Sequence, residues 1–154
     1  IDTRVVQGTT AQSAASGLAG LQNYRFGKAT TLPFPDSDGG AGVPASVLET
    51  IEGNRERELH TLVYLDIDVD RDRYMTVGRS AELLDSHLGE ELAVGIARAG
   101  SDEPVVKADR IRDLAIHEFG DPLHLLVIPG SLHHVERDAL EQLADAPSQL
   151  LEER

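Results

Sequence analysis

The chain's 154 residues can bury a core without staples, and with no cysteine among them disulfides, thiolate metal sites and a cysteine nucleophile are excluded. A net charge of −13, with two lysines and twelve arginines against 27 acidic residues, argues against binding a nucleic acid backbone, which needs clustered cations. No run approaches the roughly 18 apolar residues that span a bilayer, and Ile1-Asp2-Thr3-Arg4 lacks the plan of a signal peptide, so a cytoplasmic protein off the membrane is expected. The acidity is spread over the whole length, a pattern of halophilic cytoplasmic proteins; an ordinary acidic protein is the alternative. The absence of an initiator Met suggests that the chain was processed or that its beginning lies further upstream.

In chain order, Arg4-Val5-Val6 reads as a short strand, and the small-residue run from Thr9 to Gly20 as a helix. Thr9 or Thr10 would cap that helix, and Ala11, Ala14, Ala15 and Leu18 would form its close-packing face. A strand is expected over residues 29–34, a loop over 35–40, and a helix after Pro44 with Val47, Leu48 and Ile51 on one face. Residues 59–67 form a near-continuous β run, as a strand covered on both faces would. A helix over 76–88 and a strand over 92–98 follow, then a short strand at Val105-Val106 and a helix near 108–116. The last pair is a strand over 125–128 and a helix capped by Ser131, with Leu132, Val135, Ala139, Leu140 and Leu143 at helical spacing. This alternation predicts an α/β sheet with helices on both faces. A seam near Phe26-Gly27-Lys28 would divide the chain, because the first strand–helix pair has no partners of its own.

Chemistry-bearing residues are sparse. Asp66, Asp68, Asp70 and Asp72 alternate, but an EF-hand needs Gly at position six and Glu at twelve, and both registers put Arg or Val there; a solvated acidic loop is expected. His133 and His134 would point about 100° apart on a helix and cannot easily share an ion. His124 differs, standing where a loop enters a strand, a position that often lines α/β clefts. The glycine-bounded run from Gly8 to Gly17 is neither a P-loop nor G-x-G-x-x-G; close packing or backbone contact with a neutral ligand suits it better.

Several segments in order resemble the archaeal diphthine synthase family, within the tetrapyrrole-methylase fold class. They are residues 17–28 (GLAGLQNYRFGK), 59–67 (LHTLVYLDI), Tyr74-Met75-Thr76, 96–101 (IARAGS), 119–124 (FGDPLH) and 126–133 (LVIPGSLH). The resemblance covers nearly the whole chain but begins inside the family's sequence, whose first strand with its glycine-rich turn and Gly-Asp-Pro loop would lie upstream. It implies residues 1–28 as the remnant of an N-terminal cofactor-binding domain and 29–154 as a C-terminal α/β domain. It also implies an S-adenosylmethionine-dependent methyltransferase, releasing S-adenosylhomocysteine, that acts on the modified histidine of translation elongation factor 2 in diphthamide biosynthesis, and a homodimer. Cofactor contacts carry over to Ala11, Gln12, Leu65, Ala99 and His124. Ala11-Gln12 departs from the Ser-Ile of some relatives, so contact there would be through backbone. Core packing is the competing role for Leu65 and Ala99, and bracing of the turn for His124. No general base and no metal ligand are named, because the sulfonium brings its own leaving group. A tetrapyrrole-type small-molecule methyltransferase and a non-catalytic dimerisation module are the alternatives.

Overall fold

The computed structural model describes residues 1, 10–35 and 42–152. The expected strand at Arg4–Val6 and most of the expected 35–40 loop lie outside those residues.

Among the described residues, seven strands and six α-helices follow one another: α1 (Ala11–Ala19), β1 (Thr30–Leu32), α2 (Ala45–Glu56), β2 (Thr61–Leu65), β3 (Ile67–Asp68), β4 (Arg73–Tyr74), α3 (Val77–Leu88), β5 (Leu92–Ala97), β6 (Val105–Arg110), α4 (Ile111–Leu114), β7 (His124–Ile128), α5 (His134–Ala144) and α6 (Ser148–Glu152). Five strands make one sheet in the order β1-β2-β7-β5-β6; β3 and β4 form a separate ribbon. Among the described strands of the large sheet, β1 runs parallel to its neighbour β2, with α2 as the crossover between them, and the other pairings are antiparallel.

Alternation along the central strands sorts apolar side chains onto two faces. Val63, Leu65, Ala93, Ala97, Leu126 and Ile128 pack with Val47 and Ile51 of α2, Val77 and Leu84 of α3, and Ile111 and Leu114 of α4. Leu62, Leu92, Val94, Ile96 and Val127 face Ala15 and Ala19 of α1, Leu140 and Ala144 of α5, and Leu150 and Leu151 of α6. The sheet is therefore covered on both faces, as expected, and β5 is buried at all six positions.

Local signals explain most boundaries. Thr10 caps α1 by accepting from the Ser13 N–H, and Thr76 caps α3 by accepting from the Arg79 N–H. Gly20 ends α1 at φ 71°, and a Cβ there would lie 2.3 Å from Ala139 Cβ, so the glycine lets α1 and α5 approach closely. Two expectations need correction. Ala108 to Arg110 belong to β6, and the helix after them is a single turn, because β5 supplies a partner for every residue of that segment. The cap of α5 is His133, not Ser131: its side chain accepts from the Val135 N–H, and Glu136 completes a capping box. The expected apolar face is only partly buried: Val135 and Leu143 are each 54% exposed, and Glu136 is buried beside Leu140 on the inner face.

Residues 22–28 are stitched to the sheet. The Gly27 N–H donates to the His60 carbonyl, the His60 N–H to the Arg25 carbonyl, and the buried Asn54 amide to the Lys28 carbonyl and the Thr61 hydroxyl. The acidic stretch is more organised than a solvated loop. Asp66 accepts from the Phe34 and Ile67 N–H groups through its two oxygens, and Asp68 caps a one-turn 3₁₀ helix by accepting from Arg71.

Candidate functional site

One end of the large sheet gathers unconnected parts of the sequence. There β2 ends at Leu65 and β7 begins at His124, with Tyr64 opposite Leu125 and Ala97 opposite His124. A cavity of about 640 Å³ opens at this end. Its walls are Thr10, Ala11 and Ala14 at the start of α1; Tyr64, Leu65 and Ile67; Arg98 to Ser101; and Pro122 to Leu125. Four of the five residues singled out in the sequence, Ala11, Leu65, Ala99 and His124, thus meet on one cleft. Gln12 is not on it: its Nε2 donates to Asn23 Oδ1 at 3.1 Å.

His124 is 5% exposed and both ring nitrogens are committed to the main chain. Nδ1 accepts from the Val77 N–H at 3.0 Å, which fixes the proton on Nε2, and Nε2 donates to the Gly120 and Asp121 carbonyls, each at 3.0 Å. Burial holds the imidazole pKa below its ordinary value, against the pull of those two carbonyls, so the ring is neutral. Its hydrogen bonds are those of a brace for the turn, and they leave neither ring nitrogen uncommitted. Phe119 packs beside it at 5.9 Å between centroids, against Gly95, where a Cβ would lie only 2.5 Å from the Phe119 ring.

The opposite end of β2 holds a feature that the sequence reading missed. His60 and Glu136 have no exposed surface, and His60 Nε2 lies 2.7 Å from Glu136 Oε2. His60 Nδ1 accepts from the Gly130 N–H, so Nε2 carries the proton and donates to the carboxylate. Glu136 accepts further from the Gln22 and His133 N–H groups. Burial keeps the His60 pKa low despite Glu136, and these donors keep the Glu136 pKa below its ordinary value despite burial. A neutral imidazole and an ionised carboxylate thereby tie α1's trailing segment, β2, the Pro129–Gly130 turn and α5 together. Glu136, three residues after the capping His133, was the available clue.

Among the described residues, no three His, Cys, Asp or Glu side chains are grouped to hold a metal ion. No helix there is long and apolar enough to cross a membrane.

No family model matches the chain. A curated diphthine synthase of Haloquadratum walsbyi is 60% identical to it, covering 98% of this chain and 58% of the relative; that of Halorubrum lacusprofundi is 63% identical, covering 99% and 61%. The chain is a relative of the diphthine synthases. It spans about three-fifths of the length of the curated relatives it matches. A crystal structure described as diphthine synthase superimposes with a TM-score of 0.84 at 38% identity, over 96% of this chain and 56% of that one. The diphthine synthase resemblance read from the ordered segments is thus matched in sequence and in fold, and the fold is tetrapyrrole-methylase-like.

Proposed function

We propose that this chain carries one wall of the cofactor cleft of an S-adenosylmethionine-dependent methyltransferase, a diphthine synthase acting on the modified histidine of translation elongation factor 2. The observation that carries this reading is the convergence of Ala11, Leu65, Ala99 and His124, distant in sequence, on one cleft of about 640 Å³ at the strand ends. That volume is within the roughly 300–1,000 Å³ of small-molecule sites. In this reading residues 1–28 close a first domain and 29–154 make up the second, and the protein works in the cytoplasm as a homodimer.

The lining fits the cofactor. Its side chains are mostly apolar or small, which suits an adenosyl group, and strand ends supply main-chain donors and acceptors for the polar edge of the ligand. The neutral His124 ring adds no charge against a sulfonium. Arg98 directs its guanidinium into main-chain carbonyls of Glu103, Phe119 and Asp121, which draws its cation toward those oxygens.

When bound, the cofactor supplies a methyl group on a sulfonium that is already a good leaving group. The chain's task is then to position and to exclude water. Leu65 and Ala99 make apolar walls at the strand ends, Ala11 and Ala14 bring the start of α1 close, and His124 holds the 120–124 turn in shape. A dry wall also favours the neutral form of an attacking amine. The test is methyl transfer from labelled S-adenosylmethionine to elongation factor 2 bearing the modified histidine, with the native polypeptide that carries this sequence. Transfer that is lost on Ala99→Trp, a substitution that would fill the cleft, supports the reading; no transfer with wild type sinks it.

A further inference from the structure

Arg98 leaves β5 in the left-handed region, at φ 51°, where a non-glycine residue is uncommon. From there its guanidinium reaches the turn that leads into β7. Nη1 donates to the Phe119 carbonyl at 2.8 Å and to the Asp121 carbonyl at 2.6 Å, and Nε donates to the Glu103 carbonyl at 3.3 Å. The main-chain N–H of Arg98 donates to the Leu123 carbonyl at 2.7 Å. His124 donates to the Gly120 and Asp121 carbonyls of the same turn, so guanidinium and imidazole share the Asp121 oxygen. Gly120, at φ 75°, makes room: a Cβ there would lie 3.2 Å from the Arg98 Nη1. Arg98, Pro122, Leu123 and His124 all line the large cleft.

We propose that Arg98 is a positioning residue of the cleft, clamping the 119–123 turn so that Pro122, Leu123 and His124 stand as its wall; this rests on the methyl-donor reading of that cleft. The planar guanidinium holds its N–H groups in fixed directions that match fixed carbonyls, whereas a lysine ammonium on a flexible stem imposes no such geometry. Arg98 also faces the imidazole as a charge. Among the described residues, the charged and titratable groups around His124 are Arg98 and Glu118, with Arg79, Glu82 and His117 across a smaller cavity that His124 also lines. Burial does most to lower the His124 pKa, against the Gly120 and Asp121 carbonyls; Arg98 lowers it further and Glu118 raises it.

The fork and the charge can be tested apart with Arg98→Lys and Arg98→Met in the native polypeptide that carries this sequence. Two readouts are needed: titration with S-adenosylhomocysteine, and the ¹⁵N shifts of His124 and of the 119–123 amides against pH. Both variants should bind S-adenosylhomocysteine roughly tenfold more weakly, as expected for the loss of charged hydrogen bonds that shape a wall. Arg98→Met should raise the His124 pKa, whereas Arg98→Lys, which keeps the charge, should move it little while shifting the 119–123 amides. Wild-type affinity in Arg98→Lys, or unmoved 119–123 amides, would overturn the proposal. Should Arg98→Met not fold, Arg98→Lys decides by the same two readouts. If the wild-type protein itself ignores S-adenosylhomocysteine, the methyl-donor reading fails, and the amide shifts alone decide whether Arg98 holds the turn.

Discussion

At the scale of single residues, what matters most is which polar groups are buried and what they hold. Glu136 accepts three hydrogen bonds with no exposed surface, and a Gln amide would turn an NH₂ group toward at least one donor. Glu136→Gln should therefore destabilise by about 2–4 kcal/mol, read as a shift in denaturant midpoint. His124→Ala strands the Val77 N–H and two carbonyls and should cost about 2 kcal/mol. A melting temperature unchanged by His124→Ala would contradict the brace. The pH dependence has a definite sign. His60 and His124 bind protons less readily when folded, so between their folded values and the ordinary 6.5 the unfolded chain holds more protons. Their contribution is complete above that value and declines as pH falls below it. Glu136, lowered from 4.5, contributes fully above 4.5 and loses its share as pH falls through its folded value. His60→Gln should therefore lose less stability than wild type as pH falls below 6.5, read as a flatter melting-temperature profile over that range. The His60–Glu136 pairing was not legible in the sequence: the capping-box spacing marks Glu136 only as a cap partner, and His60 is 76 residues away. His124 was legible as a cleft residue, because a histidine at a strand entrance has few other places to be.

Elements were more legible than their ends. The buried strands β2, β5 and β7 stand out as apolar runs, and α1, α2 and α3 as periodic stretches beginning near Thr10, Pro44 and Thr76. Where long-range pairing decides, the sequence is silent. Val105 to Arg110 carries Lys107, Asp109 and Arg110, a polar reading that continued pairing with β5 overrides. Four of the five residues carried over from the resemblance line one cleft, but their convergence depends on the antiparallel register of β7 between β2 and β5, which local pattern does not encode. Two glycines test how helices are positioned. Gly20→Ala meets both a positive φ and Ala139, so it should destabilise by about 2 kcal/mol or more, loosening α1 from α5. Gly53→Ala, inside α2 with nothing within 4 Å of its new Cβ, should stabilise by about 0.5–1 kcal/mol. Thermal denaturation of the two variants side by side checks this, and equal effects would mean that α1 does not sit tightly on α5.

For the whole molecule, charge is the dominant variable. The chain carries 27 acidic residues against 14 basic ones, and curated relatives include those of Haloquadratum walsbyi and Halorubrum lacusprofundi. Salt acts in two directions. It screens attractive pairs such as Arg55–Glu91, Arg79–Glu82 and Arg112–Asp85, and it screens the repulsion among the excess carboxylates. Exposed or half-exposed pairs contribute only about 0–1 kcal/mol each, so their weakening is a small loss. Repulsion from a net charge of −13 is summed over the whole compact state. Shortening the Debye length from about 10 Å at 0.1 M to about 3 Å at 1 M should therefore favour folding, raising the melting temperature by about 5–10 °C in potassium chloride. A general salting effect on apolar burial would give the same sign. The two causes separate in a variant with exposed Glu49, Glu56 and Asp138 replaced by their amides, which lowers the net charge without touching the core. If repulsion is the cause, that variant melts higher than wild type at low salt and gains less from added salt. Parallel melting curves for the two proteins across the whole salt range would instead assign the gain to burial and remove the case for charge-based salt adaptation.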